Sequence, residues 1–197
     1  MLRSFEGHEP EIHEDAYVDP GAVVIGDVTV GADASVWPDV TLRGDHGPIT
    51  IAEGANVQDN AVLHEGCEIG PYATVGHTAI VHAAEVRSRA LVGMGATVLD
   101  RSVLGERAMV GANSLLTEGT EIEADTLYAG VPAEFIKKVE ESPWASAGDR
   151  YVELARRHVE GSERIDGAER GDGTDRPEPD GTDRPEPDGT DRPEPDG

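Results

Sequence analysis

Large side chains are scarce in this sequence. Phe, Trp and Tyr together make up 4% of its 197 residues, so the core cannot be the ordinary kind built on aromatic rings. A single cysteine, Cys67, excludes an intramolecular disulfide framework and any zinc module of four thiolates. No long apolar run occurs, and the residues after Met1 show no apolar signal-peptide core. Lysine is nearly missing, with only Lys137 and Lys138, and 40 acidic residues against 16 basic ones give a formal charge of −24. Phosphate backbones and anionic lipid repel such a chain, which argues against nucleic acid and membrane surfaces as partners. The composition predicts a soluble, cytoplasmic protein.

The acidity is not confined to one end. Residues 161–197 carry a net −8, yet residues 1–160 still carry −16. Dense negative charge over a folded domain is a lever used by halophiles, so a salt-adapted source is expected. The end of the chain is low in complexity, with Gly-Thr-Asp-Arg-Pro-Glu-Pro-Asp starting at Gly173, Gly181 and Gly189. It offers nothing to a core and is interrupted by proline, so residues 161–197 are expected to be a disordered tail.

What the sequence has in abundance is a period of six. Aliphatic residues fall at Ile12, Val18, Val24, Val30, Val36 and Leu42, and resume after a three-residue insertion around Asp45–Pro48. They continue at Ile51, Val57, Leu63, Ile69, Val75 and Val81, lose one residue, and run on from Val86 to Ile122. All 19 positions are Ile, Leu or Val, and the residue four further on is usually Ala, Ser or Cys. Neither an α-helix nor a hairpin sheet has this period, whereas a parallel β-helix does. Three hexads close one triangular coil, the aliphatic residue points inward, and coils stack at about 4.8 Å. The expected fold is therefore all-β, a left-handed parallel β-helix of roughly six coils over residues 1–130. Beyond it, residues 131–160 are expected to form a C-terminal helical segment packed on the β-helix. Ser142-Pro143 looks like its cap and first turn, and Trp144, Ala147, Tyr151 and Leu154 fall at helical spacing.

Three histidines stand out. His64 and His82 are 18 residues apart with unbroken spacing, which is one full coil. Following the inward Leu63 and Val81, they should point outward from one corner on adjacent rungs, where two imidazoles can converge on one metal. His77 lies five residues before His82, on the previous side of the prism, and about 16 Å along the chain is too far to share that metal. A third ligand must then come from another subunit. Three unrelated surface histidines are the plainer alternative.

The runs Val36-Trp-Pro-Asp-Val-Thr-Leu-Arg-Gly-Asp, Asn56-Val-Gln-Asp-Asn-Ala-Val-Leu-His and Gly76-His-Thr-Ala-Ile-Val-His resemble the γ-class carbonic anhydrases and their close homologues. Val92-Gly-Met-Gly-Ala, Gly130-Val-Pro-Ala and the segment around Tyr151 are similar too, so the resemblance covers about residues 10–160. It implies a homotrimer in which His64, His77 and His82 bind zinc, or iron or cobalt, at subunit interfaces. It also implies an inter-subunit ion-pair network of Arg43, Asp45 and Asp59, with Gln58 orienting the water on the metal. Three neutral imidazoles leave the metal its full charge, so its water can ionise near pH 7 and attack CO2 to give bicarbonate.

Turnover in such an enzyme needs a proton carrier. The best-studied members have a glutamate directly after the Arg-x-Asp run and a longer acidic loop after the first histidine. Here His46 takes the first place and the loop is only Glu65-Gly-Cys-Glu68, leaving His46 and Glu65 as candidate carriers. Cys67 occupies an inward position that suits packing, and Tyr151 either reaches the site rim or packs the helix. A hexapeptide-repeat acyltransferase and a non-catalytic metal-binding trimer are the alternatives. Acyltransferases of this build use one catalytic histidine and have no need of a pair one coil apart.

Overall fold

The computed structural model describes residues 1–163, so the repeats from Gly173 onward lie outside the described residues. Short strands recur along the chain, and the aliphatic series sorts into three inward ladders. Val18, Val36, Val57, Val75, Val92 and Val110 stack in register on one face. Val24, Leu42, Leu63, Val81, Val98 and Leu116 stack on the second. Ile12, Val30, Ile51, Ile69, Val86, Leu104 and Ile122 stack on the third. Every pairing within these ladders is parallel, which is the stacked-coil β-helix expected from the six-residue period.

Close packing without rings explains how so few large residues suffice. Leu42, Leu63, Leu104 and the alanines between the ladders, such as Ala61 and Ala79, are wholly buried. Cys67, at an inward position, is buried among them. Cutting one such leucine back to alanine costs about 2–5 kcal/mol, a large share of an ordinary domain's stability. The corners bend through left-handed backbone: Asp39, Asn60 and Thr78 have φ of 59°, 60° and 59°. Asp and Asn tolerate this region best. A threonine is held in it because each corner N–H donates to the corner of the neighbouring coil, as Asn60 does to Pro38 O and Thr78 to Asp59 O.

Two departures from regularity place chemistry. The insertion at Asp45–Pro48 lengthens one strand to Thr41–Ile51, and pairing with Val23–Val30 shifts register after Gly26. Gly44 there lies against the Asp27 backbone with no room for a Cβ, so the chain throws Asp45 and His46 outward. Elsewhere most strands end on their inward aliphatic residue, but Val62–His64 and Ile80–His82 run one residue further and end on histidines.

The segment after the β-helix differs from the sequence expectation. Residues 131–146 are not helical: Glu134–Lys138 forms a strand antiparallel to Thr126–Ala129, and the helix spans Ala147–Gly161. Ser142 does not cap it, because its hydroxyl donates to Arg107 O at 2.9 Å, and the Trp144 indole donates to the same carbonyl at 2.9 Å. These two side chains tie the approach to the β-helix, and the helix begins only after them. It then packs through Ala147, Gly148 and Ala155, with the rings of Tyr151 and His158 edge-on to Trp37 at 5.4 and 5.0 Å.

Arg89 locks the helix start, donating to Ala145 O at 2.9 Å and to both carboxylate oxygens of Asp149 at 2.7 and 3.3 Å. Asp149 also sits in the first turn, where the helix dipole favours a negative charge. The Arg89 hydrogen bond holds the Asp149 carboxyl below its ordinary range against a smaller opposing effect of desolvation. A carboxyl lowered on folding contributes stability above its unfolded pKa of about 3.9 and loses it as pH falls through the folded value. Acid titration followed by Trp fluorescence should therefore show Asp149→Asn already weakened at pH 7 and less steeply pH-dependent below 4. Parallel curves for the two proteins would contradict the role of this pair.

Candidate metal centre

Coil stacking brings His64 and His82 directly into register on neighbouring strands, with ring centroids 5.1 Å apart. The rung below contributes Arg43, which is the register partner of His64. Around this column stand four acidic or basic groups. Arg43 Nη1 donates to Asp45 Oδ2 at 2.8 Å, and Asp45 Oδ1 lies 3.1 Å from His64 Nε2 and 3.2 Å from His46 Nδ1. Asp100 Oδ1 lies 2.6 Å from His82 Nδ1, and Glu65 Oε1 lies 3.9 Å from His82 Nε2. Desolvation, the largest single influence, works to raise the Asp45 pKa, but the hydrogen bonds from His46, Arg43 and His64 together outweigh it and hold the carboxyl far below the usual range. The His82 hydrogen bond likewise lowers Asp100, against a smaller opposing effect of desolvation.

These partners assign the tautomers. A carboxylate only accepts, so His82 Nδ1 donates to Asp100 and a neutral ring leaves a lone pair on Nε2. A guanidinium only donates, so His64 Nδ1 accepts from Arg43 Nη2 at 3.2 Å while Nε2–H donates to Asp45. The two lone-pair nitrogens, His64 Nδ1 and His82 Nε2, therefore face each other 3.2 Å apart with no hydrogen between them. Two ligand atoms on a tetrahedral zinc ion, each at about 2.0–2.1 Å, lie about 3.3 Å apart. The donor pair fits a metal ion in chemistry and in spacing.

His77 stands apart from this pair within one chain. It belongs to neither of the donor groups found among the described residues, Asp45–His46–His64 and His64–Glu65–His82. Its Nδ1 lies 2.9 Å from Asp59 Oδ2, which leaves Nε2 as its free donor atom, and its backbone N–H donates to Gln58 Oε1 at 3.2 Å. Gln58 is buried and held by Asn56, whose Oδ1 accepts from Gln58 Nε2 at 3.1 Å. Within one chain Asp59 thus pairs with His77, while Arg43 pairs with Asp45. Tyr151 packs on Trp37, and burial first, then the nearby Asp59 charge, pushes its phenol pKa up.

Known proteins share the repeat and the fold. A model of the bacterial transferase hexapeptide (six repeats) matches residues 9–44. Carnitine operon protein CaiE of Salmonella agona is 38% identical over 78% of this chain and 81% of its own length. The chain belongs to the hexapeptide-repeat family. Within that family, γ carbonic anhydrase 2 of Arabidopsis thaliana, a mitochondrial protein, is 39% identical over 76% of this chain. The match spans 59% of the plant protein's length. A hexapeptide transferase family protein from Anaplasma phagocytophilum has the same fold at TM-score 0.77 and 38% identity, covering 79% of this chain and 96% of its own. The family thus includes members named for carbonic anhydrase and for transfer chemistry. No helix among the described residues is long and apolar enough to cross a membrane.

Two residues of the site escape a search by histidine spacing. Asn56 carries no charge and is legible only once Gln58 is known to be buried beside it. Asp100 had a signal: it follows His82 by 18 residues, the interval that separates His64 from His82. Groups that orient metal-binding imidazoles are worth about 10–100-fold in affinity. Asp100→Asn should weaken zinc binding by about that factor, measured by competition with a chromophoric chelator. Unchanged affinity would contradict its role in fixing the His82 tautomer.

Proposed function

We propose that the protein is a γ-type carbonic anhydrase, a homotrimer hydrating CO2 to bicarbonate at metal sites shared between subunits. The observation that carries this reading is the pair of lone-pair nitrogens on His64 and His82, aimed at one point and joined, among the described residues, by Glu65 but by no third imidazole of their own chain. His77 of a neighbouring subunit completes the set, its Nε2 free and its ring held by Asp59. The exposed apolar Val62 and Ile80 stack on the strands that carry the two histidines, and a subunit contact beside the site accounts for them. Arg43, Asp45 and Asp59 border the same contact.

Zinc, or iron or cobalt in its place, supplies the positive charge that makes water acidic near neutral pH. The chain's residues do the rest. Asp100 and Asp59 hold two imidazoles in the tautomer that presents a lone pair. Gln58, fixed by Asn56, places an amide beside His77 to orient water. His46, its side chain 68% exposed, and Glu65, beside His82, carry protons outward. The reading includes a cytoplasmic location and a salt-adapted source, both resting on composition.

A second reading is acyl transfer, supported by the transferase names among the relatives. Stopped-flow CO2 hydration with zinc-, cobalt- or iron-loaded protein separates them. Hydration should appear with metal, fall to background on chelation, and be absent from His77→Ala. Acyl transfer from a coenzyme A thioester that persists in metal-free protein would overturn the proposal. So would tight metal binding with no hydration, which leaves a non-catalytic trimer.

A further inference from the structure

We infer a second divalent-cation site on the outer side of His64, formed by Asp45, His46 and His64 Nε2, whose occupation withdraws His64 from its pair with His82. This inference rests on the metal reading above and adds a regulatory position to it. The two nitrogens of the His64 ring look in different directions: Nδ1 faces His82 Nε2, and Nε2 faces Asp45 Oδ1. On that outer side Asp45 Oδ1 is 3.1 Å from His64 Nε2 and 3.2 Å from His46 Nδ1. Those separations match the spacing of about 3.3 Å expected for ligands on one tetrahedral ion. One donor atom from each of Asp45, His46 and His64 falls within a single 4.8 Å group, just as for His64, Glu65 and His82. The insertion at Asp45–Pro48 is what delivers two of these donors to the corner.

The chemistry makes the two positions compete. A neutral imidazole has one lone pair, so His64 binds an ion through Nδ1 or through Nε2, with the proton on the other nitrogen. An ion held by Asp45 and His46 that captures Nε2 moves the ring proton to Nδ1. The inner ion then keeps His82 and the neighbouring subunit's His77 but loses His64, so two ions are held per chain with the inner site impaired. The same ion occupies His46, one of the two proton carriers. Arg43 must give way at either position, since it holds both Asp45 Oδ2 and His64 Nδ1. The outer site is the weaker one because its His46 side chain, 68% exposed, must be ordered. The expected behaviour is one tight ion per chain, then a second at higher concentration that inhibits.

Equilibrium dialysis of the metal-free full-length trimer against zinc tests this, with cobalt absorption as a second readout that distinguishes the two ligand sets. The wild type should bind two equivalents per chain in two separated phases. His46→Ala should lose the weak phase and keep the tight one. His82→Ala should lose the tight phase and keep a weak one with the wild-type outer cobalt spectrum. A weak phase that survives unchanged in His46→Ala, or a wild type that stops at one equivalent, would overturn the outer site. Absence of the tight phase from the wild type would instead overturn the metal reading on which it rests, while a remaining His46-dependent phase would still support the outer site.

Discussion

Stacking of one coil on the next is the constraint from which the rest of this structure follows. The inward Leu63 and Val81 must lie in register for the ladder between them to be packed, and the residues that follow them are then obliged to lie in register too. His64 and His82 are thus brought together by burial of their neighbours, with no loop to order and little entropy left to lose when a ligand arrives. A site on such a scaffold is as rigid as the core beneath it. The same constraint keeps His77 on a different side of the prism, so a single chain presents an incomplete set of imidazoles.

Electrostatics then decides what the assembled groups can bind. A pair of histidines with free tautomers would share a hydrogen bond and need no metal. Here Asp100 takes the proton-bearing nitrogen of one ring and Asp45 that of the other, while Arg43 holds the remaining His64 nitrogen as an acceptor. The result is two acceptor nitrogens 3.2 Å apart, one of them already held by the Arg43 guanidinium. With Arg43 moved aside, the pair has the spacing and the lone pairs that suit a cation, with carboxylates one step removed fixing the rings. Arg43 stands where it balances the acidic groups in the chain alone, and it is the group that must yield when an ion is bound.

Much of this was legible before any coordinates. The six-residue period of Ile, Leu and Val admits one architecture, because its residues must all face one interior. Eighteen residues between His64 and His82 then place two side chains on one corner, and the three-residue insertion and single deletion can be counted from the sequence. What was not legible has physical reasons as well. Ser142-Pro143 has the local signature of a helix start, but Arg107 O captures Ser142 and Trp144 from across the chain, a tertiary contact that local propensity cannot register. The strand Glu134–Lys138 forms because the last coil leaves an edge to pair with, not because its own residues alternate. Asp100 lay in plain view at one coil length but carried no metal-ligand pattern of its own.

The central claim is that each metal site is built from two chains. The most direct measurement is the metal content of mixed trimers, made by co-refolding His77→Ala chains with chains carrying both His64→Ala and His82→Ala. Either homotrimer alone should bind no ion tightly, since every site lacks a ligand. In a mixed trimer of cyclic order, one interface joins an intact His64–His82 pair to an intact His77, so tight binding should rise to one ion per mixed trimer. Verified mixed trimers that remain metal-free, or a mutant homotrimer that keeps its full complement, would contradict the shared site.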